Sequence, residues 1–163
     1  MKKFKLTSEF IVDISGVKLF RIKALIEFGN VKAGDLGGYI EKEENLSHMG
    51  NAWVSGNAQV SGDARVSGNA RVSGDARVFG NAQVFGDARV SGDKDYAYAH
   101  GFGSCNRTTT FFRLKDGDVG VRCGCFYGTL AQFRDNVCET HGETKKAQEY
   151  LMLADLMDFR FKN

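Results

Sequence analysis

Proline is absent from all 163 residues, so no element is interrupted by a ring-locked backbone and no turn depends on one. Long apolar runs are also missing, and the opening MKKFKLTSEF has two lysines with no apolar stretch behind them. The chain is therefore expected neither to span a membrane nor to leave the cell through a leader, which places it in the cytoplasm. Only four cysteines occur, at uneven spacings, and they read as reduced thiols. No segment carries charge of one sign: 8, 4 and 10 Lys and Arg before residue 48, in 48–93 and beyond face 7, 4 and 9 acidic residues. With a net charge of +2, extended nucleic-acid binding is not expected. At 42% hydrophobic and 26% charged residues, the chain is expected to fold.

What is abundant is glycine, 20 residues, and its placement is periodic. Residues 48–95 divide without a gap into eight hexads: HMGNAW, VSGNAQ, VSGDAR, VSGNAR, VSGDAR, VFGNAQ, VFGDAR and VSGDKD. Val opens seven of them, Ala takes the fifth place from Ala52 to Ala88, and Gly-Asn or Gly-Asp stands between. A β-branched residue favours extended backbone, and Gly followed by Asn or Asp permits a sharp corner. Six residues are too few for a strand to return by a hairpin, so each hexad becomes one side of a coil whose backbone pairs with the coils above and below. The expectation is a parallel β-helix with Val and Ala inward.

This pattern resembles the hexapeptide-repeat proteins. The resemblance implies left-handed coils of three hexads each, so that residues eighteen apart stack, as Val54 on Val72 on Val90. The stretch FGNVKAGDLGGYIEKEENLSHMGNAWV, leading into the array, looks like the YdcK-like members found in enterobacteria and in bacteriophage or prophage genomes, a likeness covering roughly residues 19–95. The chain thus divides into an N-terminal β cap (1–47), a short left-handed β-helix (48–95) and a C-terminal α+β cap (96–163), a mainly β fold. If the valines point inward, Phe79 and Phe85 point outward, and with Trp53 they form the expected interface of a homo-oligomer. A trimer is favoured because hexapeptide proteins are commonly trimers.

In the last third, Asp116-Gly117 reads as a two-residue hairpin turn. That register pairs Phe112 with Val121 on one face and Phe111 with Arg122 on the other. Arg107, Thr109, Phe111, Arg113, Arg122 and Phe126 then share a face and form the candidate ligand site: guanidinium groups grip phosphate, and aromatic rings stack on planar ones. Thr129 followed by Gln132 is a capping box that starts a helix with Leu130, Phe133 and Val137 on one stripe and His141-Gly142 at its end. Thr144 caps a second helix whose stripe is Ala147, Leu151, Ala154 and Met157.

Catalytic equipment is sparse. Most enzymes that the array resembles are acyltransferases with a histidine near a coil, yet the array holds none between His48 and His100, and no loop interrupts it. Cys123 and Cys125, with Cys105 and His141, are candidate ligands of a thiolate metal site, but C-x-C lacks the usual knuckle spacing, and no metal or cofactor is expected. A thiol nucleophile, Cys105 or Cys125 beside His100 or His141, has no local signature. The reading is a non-enzymatic binding protein. Small and phage-like, it would inhibit a bacterial host's defence by sequestering a small anionic, nucleotide-like signal or by occupying a host protein. The alternatives are an acyltransferase acting on acyl-coenzyme A through His48 or His100, and a structural virion component.

Overall fold

The computed structural model describes residues 2–103 and 107–162, and its architecture is mainly β with two helices. Three strands precede the repeats: β1 (Phe4–Val12), β2 (Lys18–Ala24) and β3 (Leu36–Ile40). The repeats supply seven two-residue strands, each ending on a hexad valine: β4 (Trp53–Val54), β5 (Gln59–Val60), β6 (Arg65–Val66), β7 (Arg71–Val72), β8 (Arg77–Val78), β9 (Gln83–Val84) and β10 (Arg89–Val90). They pair in parallel at the eighteen-residue spacing, Val54 with Val72 and Val72 with Val90, Val60 with Val78, Val66 with Val84. Three ladders result, β4-β7-β10, β5-β8 and β6-β9. Backbone donors are satisfied along strands and corners alike: Trp53 N–H donates to the Ala70 carbonyl at 3.0 Å and Asn51 N–H to that of Gly68 at 3.1 Å. Every hexad valine and alanine from Ala52 to Val90 is buried. These small side chains let the ladders approach closely, and the hydrophobic burial plus the backbone bonds hold the array.

The parallel pairing begins earlier than the hexads. Strand β3 is antiparallel to β2 and parallel to β5, with Ile40 opposite Val60, and Leu46 bridges Val66. There the spacing is 20 residues instead of 18. The two additional residues lie between Leu46 and Val54, so Leu46 occupies the inward place that the hexad phase assigned to His48. His48 instead stacks on Phe4 at 4.3 Å, accepts the Lys3 N–H at Nδ1 (3.0 Å) and meets Glu43 Oε1 through Nε2 (2.7 Å). Next to it Lys3, 1% exposed, donates its ammonium to the Ala52 carbonyl at 2.7 Å and lies over the Phe28 ring. Phe28 in turn packs edge-on against Trp53 at 5.3 Å. Trp53 is therefore a core residue, covered by the chain's own N-terminal segment and not presented to another subunit.

After the repeats, β11 (Tyr96–Phe102), β12 (Arg107–Arg113), β13 (Val119–Cys123) and β14 (Phe126–Thr129) form an antiparallel meander, followed by α1 (Leu130–His141) and α2 (Lys145–Phe161). Alternation along β12 sends neighbouring rings into different cores. Phe111 packs with Val121, Phe133 and Tyr150 under the helices, and Phe112 joins Tyr96 and the repeat valines. The helix caps are those expected, Thr129 with Gln132 for α1 and Thr144 for α2. On α2 the buried stripe carries Tyr150, while Leu151 is only half-buried.

The β12–β13 register differs from the expected one by a single residue: Phe111 faces Val121, and Phe112 faces Gly120. The connection is a three-residue loop, because Leu114 N–H donates to the Asp118 carbonyl at 2.8 Å and Gly117 N–H to that of Leu114 at 2.9 Å, with Gly117 at φ +90°. This is a turn with a glycine bulge in place of a two-residue turn. A slip of one residue exchanges faces, so Arg122 leaves the side that holds Arg107, Thr109, Phe111 and Arg113.

Two measurements check this account. Gly68 has φ +68°, and a Cβ there would lie 2.8 Å from Gly86 N, whereas one on Gly92 would meet nothing within 4 Å. Gly68→Ala should lower the unfolding free energy by about 2 kcal/mol in urea titrations, and Gly92→Ala should change it little. Burial, and secondarily Arg71, hold the Lys3 ammonium down to about 8 from 10.5. Between pH 8 and 10 the unfolded chain keeps a proton that the folded one releases, so Lys3 makes stability rise with pH, by at most about 1.4 kcal/mol per unit. Lys3→Met should remove that slope.

Candidate functional site

The six residues expected to share a ligand face are separated. Thr109 is fully buried, and its hydroxyl donates to Cys123 Sγ at 3.2 Å. Phe111 is a core ring, edge-on to Phe133 at 6.1 Å. Arg113 ties the end of the repeats to the end of the chain: Nε meets Asp95 Oδ1 at 3.3 Å, and Nη2 donates to the Phe161 carbonyl at 3.3 Å. Burial pushes the Asp95 carboxyl up, but the Ser91 N–H and hydroxyl and the Arg113 guanidinium outweigh it and hold it below the ordinary range. Arg122, on the opposite face, lies over the Phe85 ring at 4.3 Å. Only Arg107 and Phe126 meet at one opening.

That opening is a cleft of about 370 Å³ between the β12–β14 edge and the helices. Its aromatic wall is built by Phe126, Phe133, His141 and Tyr150, with Phe126 and Tyr150 at 5.8 and 5.6 Å from the Phe133 ring and His141 stacked on Tyr150 at 5.7 Å. Arg107, Asn136 and Thr140 supply polar groups, and Cys123 and Cys125 form the remaining side. Helical spacing explains the α1 contribution: Phe133, Asn136, Val137, Thr140 and His141 succeed one another on one stripe. Burial first, and then the adjoining Cys123, push the Tyr150 hydroxyl up to about 12, against the opposing pull of Arg107 and Thr109. Tyr150 is thus a neutral hydroxyl in the cleft wall, and Arg107 is its fixed cation. The arrangement suits a flat ring with an anionic substituent.

Sequence reasoning reached Arg107, Phe126 and, as metal or thiol partners, Cys123, Cys125 and His141. It missed Tyr150, Asn136 and Thr140. The signal for Tyr150 was there, since it lies three residues beyond Ala147 and four before Ala154 on the α2 stripe. Cys105, named for both metal and nucleophile, lies outside the described residues. Among the described residues no group of three His, Cys, Asp or Glu side chains converges as a metal site requires.

The other expected positions have distinct fates. Phe85 is half-buried, edge-on to Tyr127 at 4.9 Å and covered by Arg122. The C-terminal unit therefore covers Phe85. Phe79 remains 50% exposed, edge-on to Tyr98. Both ring nitrogens of His48 are engaged, by Lys3 and Glu43, which leaves no lone pair for a substrate proton. His100 Nδ1 is bonded to Thr108 Oγ1 at 2.7 Å. Among the described residues no helix is long and apolar enough to cross a membrane.

If Arg113 clamps the two ends as its contacts indicate, Arg113→Ala should destabilise the protein by about 2 kcal/mol, because the nearly buried Asp95 loses its cation. Thermal unfolding of the variant measures this.

No curated protein matches the chain. The YdcK β-solenoid repeat model matches three successive stretches, residues 58–73, 70–84 and 82–93. Together they span β5 to β10 and end short of β11. Residues 58–93 are therefore similar to the YdcK β-solenoid repeat.

Proposed function

We propose that the protein is a non-enzymatic binder that sequesters a small, planar, anionic ligand of nucleotide-like chemistry in the cleft beside Arg107. The observation that carries this reading is the meeting of one guanidinium with four ring side chains, Phe126, Phe133, His141 and Tyr150, around a space of about 370 Å³. Aromatic faces bind any flat ring, and the guanidinium selects those bearing negative charge. Burial holds the Tyr150 hydroxyl neutral in the cleft wall, which suits it to donate to a bound ligand.

The rest of the reading follows from resemblance. The repeats wind as a left-handed coil, the N-terminal strands and the α+β unit close its two ends, and Phe79, half exposed, contributes to a homo-oligomeric contact, a trimer by analogy with hexapeptide proteins. Likeness to repeat proteins of phages and prophages supports a role in the bacterial cytoplasm against host immunity, where tight one-to-one capture of a signal nucleotide withdraws it from its receptor. The unpaired thiols of Cys123, Cys125 and Cys138 agree with a reducing compartment.

Native mass spectrometry after incubation with a bacterial nucleotide extract tests the reading. Wild type and Arg122→Ala should both retain a small-molecule adduct, because Arg122 sits on the other face. Arg107→Ala and Phe126→Ala should weaken retention about tenfold or more. A protein that takes up nothing, or variants that all retain the adduct equally, would overturn it.

A further inference from the structure

Helix α2 carries a second apolar stripe besides the one it buries. Ala147, Tyr150, Ala154, Met157 and Phe161 pack with Phe133, Val137 and Phe111. Met152, Leu156 and Phe159 follow at spacings of four and three residues on the opposite side, and they are 69, 55 and 79% exposed. Exposed apolar side chains are ordinary when scattered singly, but three large ones in line on one helix face form a patch suited to a partner. Among the described residues none covers it.

The charges beside the stripe are placed symmetrically about its middle. Glu149 comes one turn before Met152, and Arg160 directly follows Phe159. They are separated by about three full turns, so they share one flank of the stripe. The ion pairs of α2 are Asp155 with Arg134 at 2.6 Å and Asp158 with Lys162 at 3.7 Å. Among the described residues neither Glu149 nor Arg160 joins one. Such an arrangement is complementary to itself. When a second α2 lies antiparallel across the stripe, Met152 stands opposite Phe159, and Leu156 meets its counterpart near the two-fold axis. The shared flank then carries Glu149 of each copy to Arg160 of the other. Asp155, on the other flank beside the axis, is already answered by Arg134. Lys145 and Lys146 overhang the last turn of the other helix, whose carbonyls attract cations. A parallel pair would instead set Arg160 beside Lys162 and leave Glu149 unanswered.

We propose that this face of α2 is the interface with a second copy of the chain, an antiparallel two-fold contact held by Met152, Leu156 and Phe159 and bracketed by two Glu149–Arg160 ion pairs. The contact from Glu149 to Arg160 is about 17 Å long. One helix pair of that length falls short of the roughly 800 Å² per partner of a standard interface, so the association is reversible and micromolar. The inference goes beyond the preceding reading and does not depend on it: Tyr150, the α2 residue of the aromatic cleft, belongs to the opposite stripe.

Sedimentation equilibrium of the full-length protein over a concentration series tests the contact. The mass should double reversibly as concentration rises, and Leu156→Glu, at an exposed position, should abolish the doubling while leaving the circular dichroism unchanged. Glu149→Arg and Arg160→Glu, each alone, should weaken association about tenfold or more, because two attractive pairs become repulsive. Mixed one to one, the two variants should associate again, since each copy then meets the opposite charge on the other. A chain that stays single at every concentration, whatever else the stripe binds, would overturn the proposal. So would doubling that survives Leu156→Glu, or a mixture that associates no better than either variant alone. Adduct retention in the aromatic cleft should be the same in wild type and Leu156→Glu, so a failure of the cleft reading leaves the interface standing and the converse holds too.

Discussion

Backbone hydrogen bonding between residues eighteen apart is the constraint from which the rest of the molecule follows. A coil of such short strands has no stability alone, because two residues bury too little to offset the entropy of ordering them. Stacked, the same strands satisfy each other's N–H and C=O groups and bury one continuous column of Val and Ala. The column is narrow, and nothing within it limits its length. The C-terminal strands bond to the last of the repeat strands. Thr110 Oγ1 accepts the Gln83 N–H, Tyr96 donates to the Arg77 carbonyl, and Lys115 N–H donates to that of Asp87.

A sheet that must face the repeats on one side and two helices on the other has little freedom. Strand β12 shows the consequence, with Phe111 and Phe112 committed to separate cores. Six consecutive positions from Arg107 to Phe112 are thereby divided between tasks. The even positions address the repeats, as Thr110 and Phe112 do, and the odd ones address the helices, as Thr109 and Phe111 do. Arg107, at the strand's beginning, is far enough along to escape the helical core and still reach the cleft beside it.

The repeats were legible because their signal is redundant: seven valines at one spacing outweigh any local ambiguity. The helix starts were legible because a capping box is a local device, complete within four residues. The hairpin face was not. Asp-Gly marks the turn, but whether two or three residues form the loop is decided by which register buries Phe111 and Phe112 well, and that depends on elements far away in sequence. One residue of slip was enough to place Arg122 on the wrong face and to join Arg107 with core residues. The phase error at His48 has a similar origin. Two additional residues in the first turn of the array leave no trace in composition, and the pairings of Ile40 with Val60 and Leu46 with Val66 expose them.

The near-identity of the hexads bears on length: were units gained or lost, the three ladders would decide which changes keep the pairing. Loss of one hexad from the middle would hand every following residue to the neighbouring ladder, turning the covering sheet onto a different side. Loss or gain of three would shift it along the stack by one coil and keep each residue above a counterpart. Variation in length within such arrays is thus quantised in units of eighteen residues, and descendants differing by that amount keep the same outer wall beneath the helices.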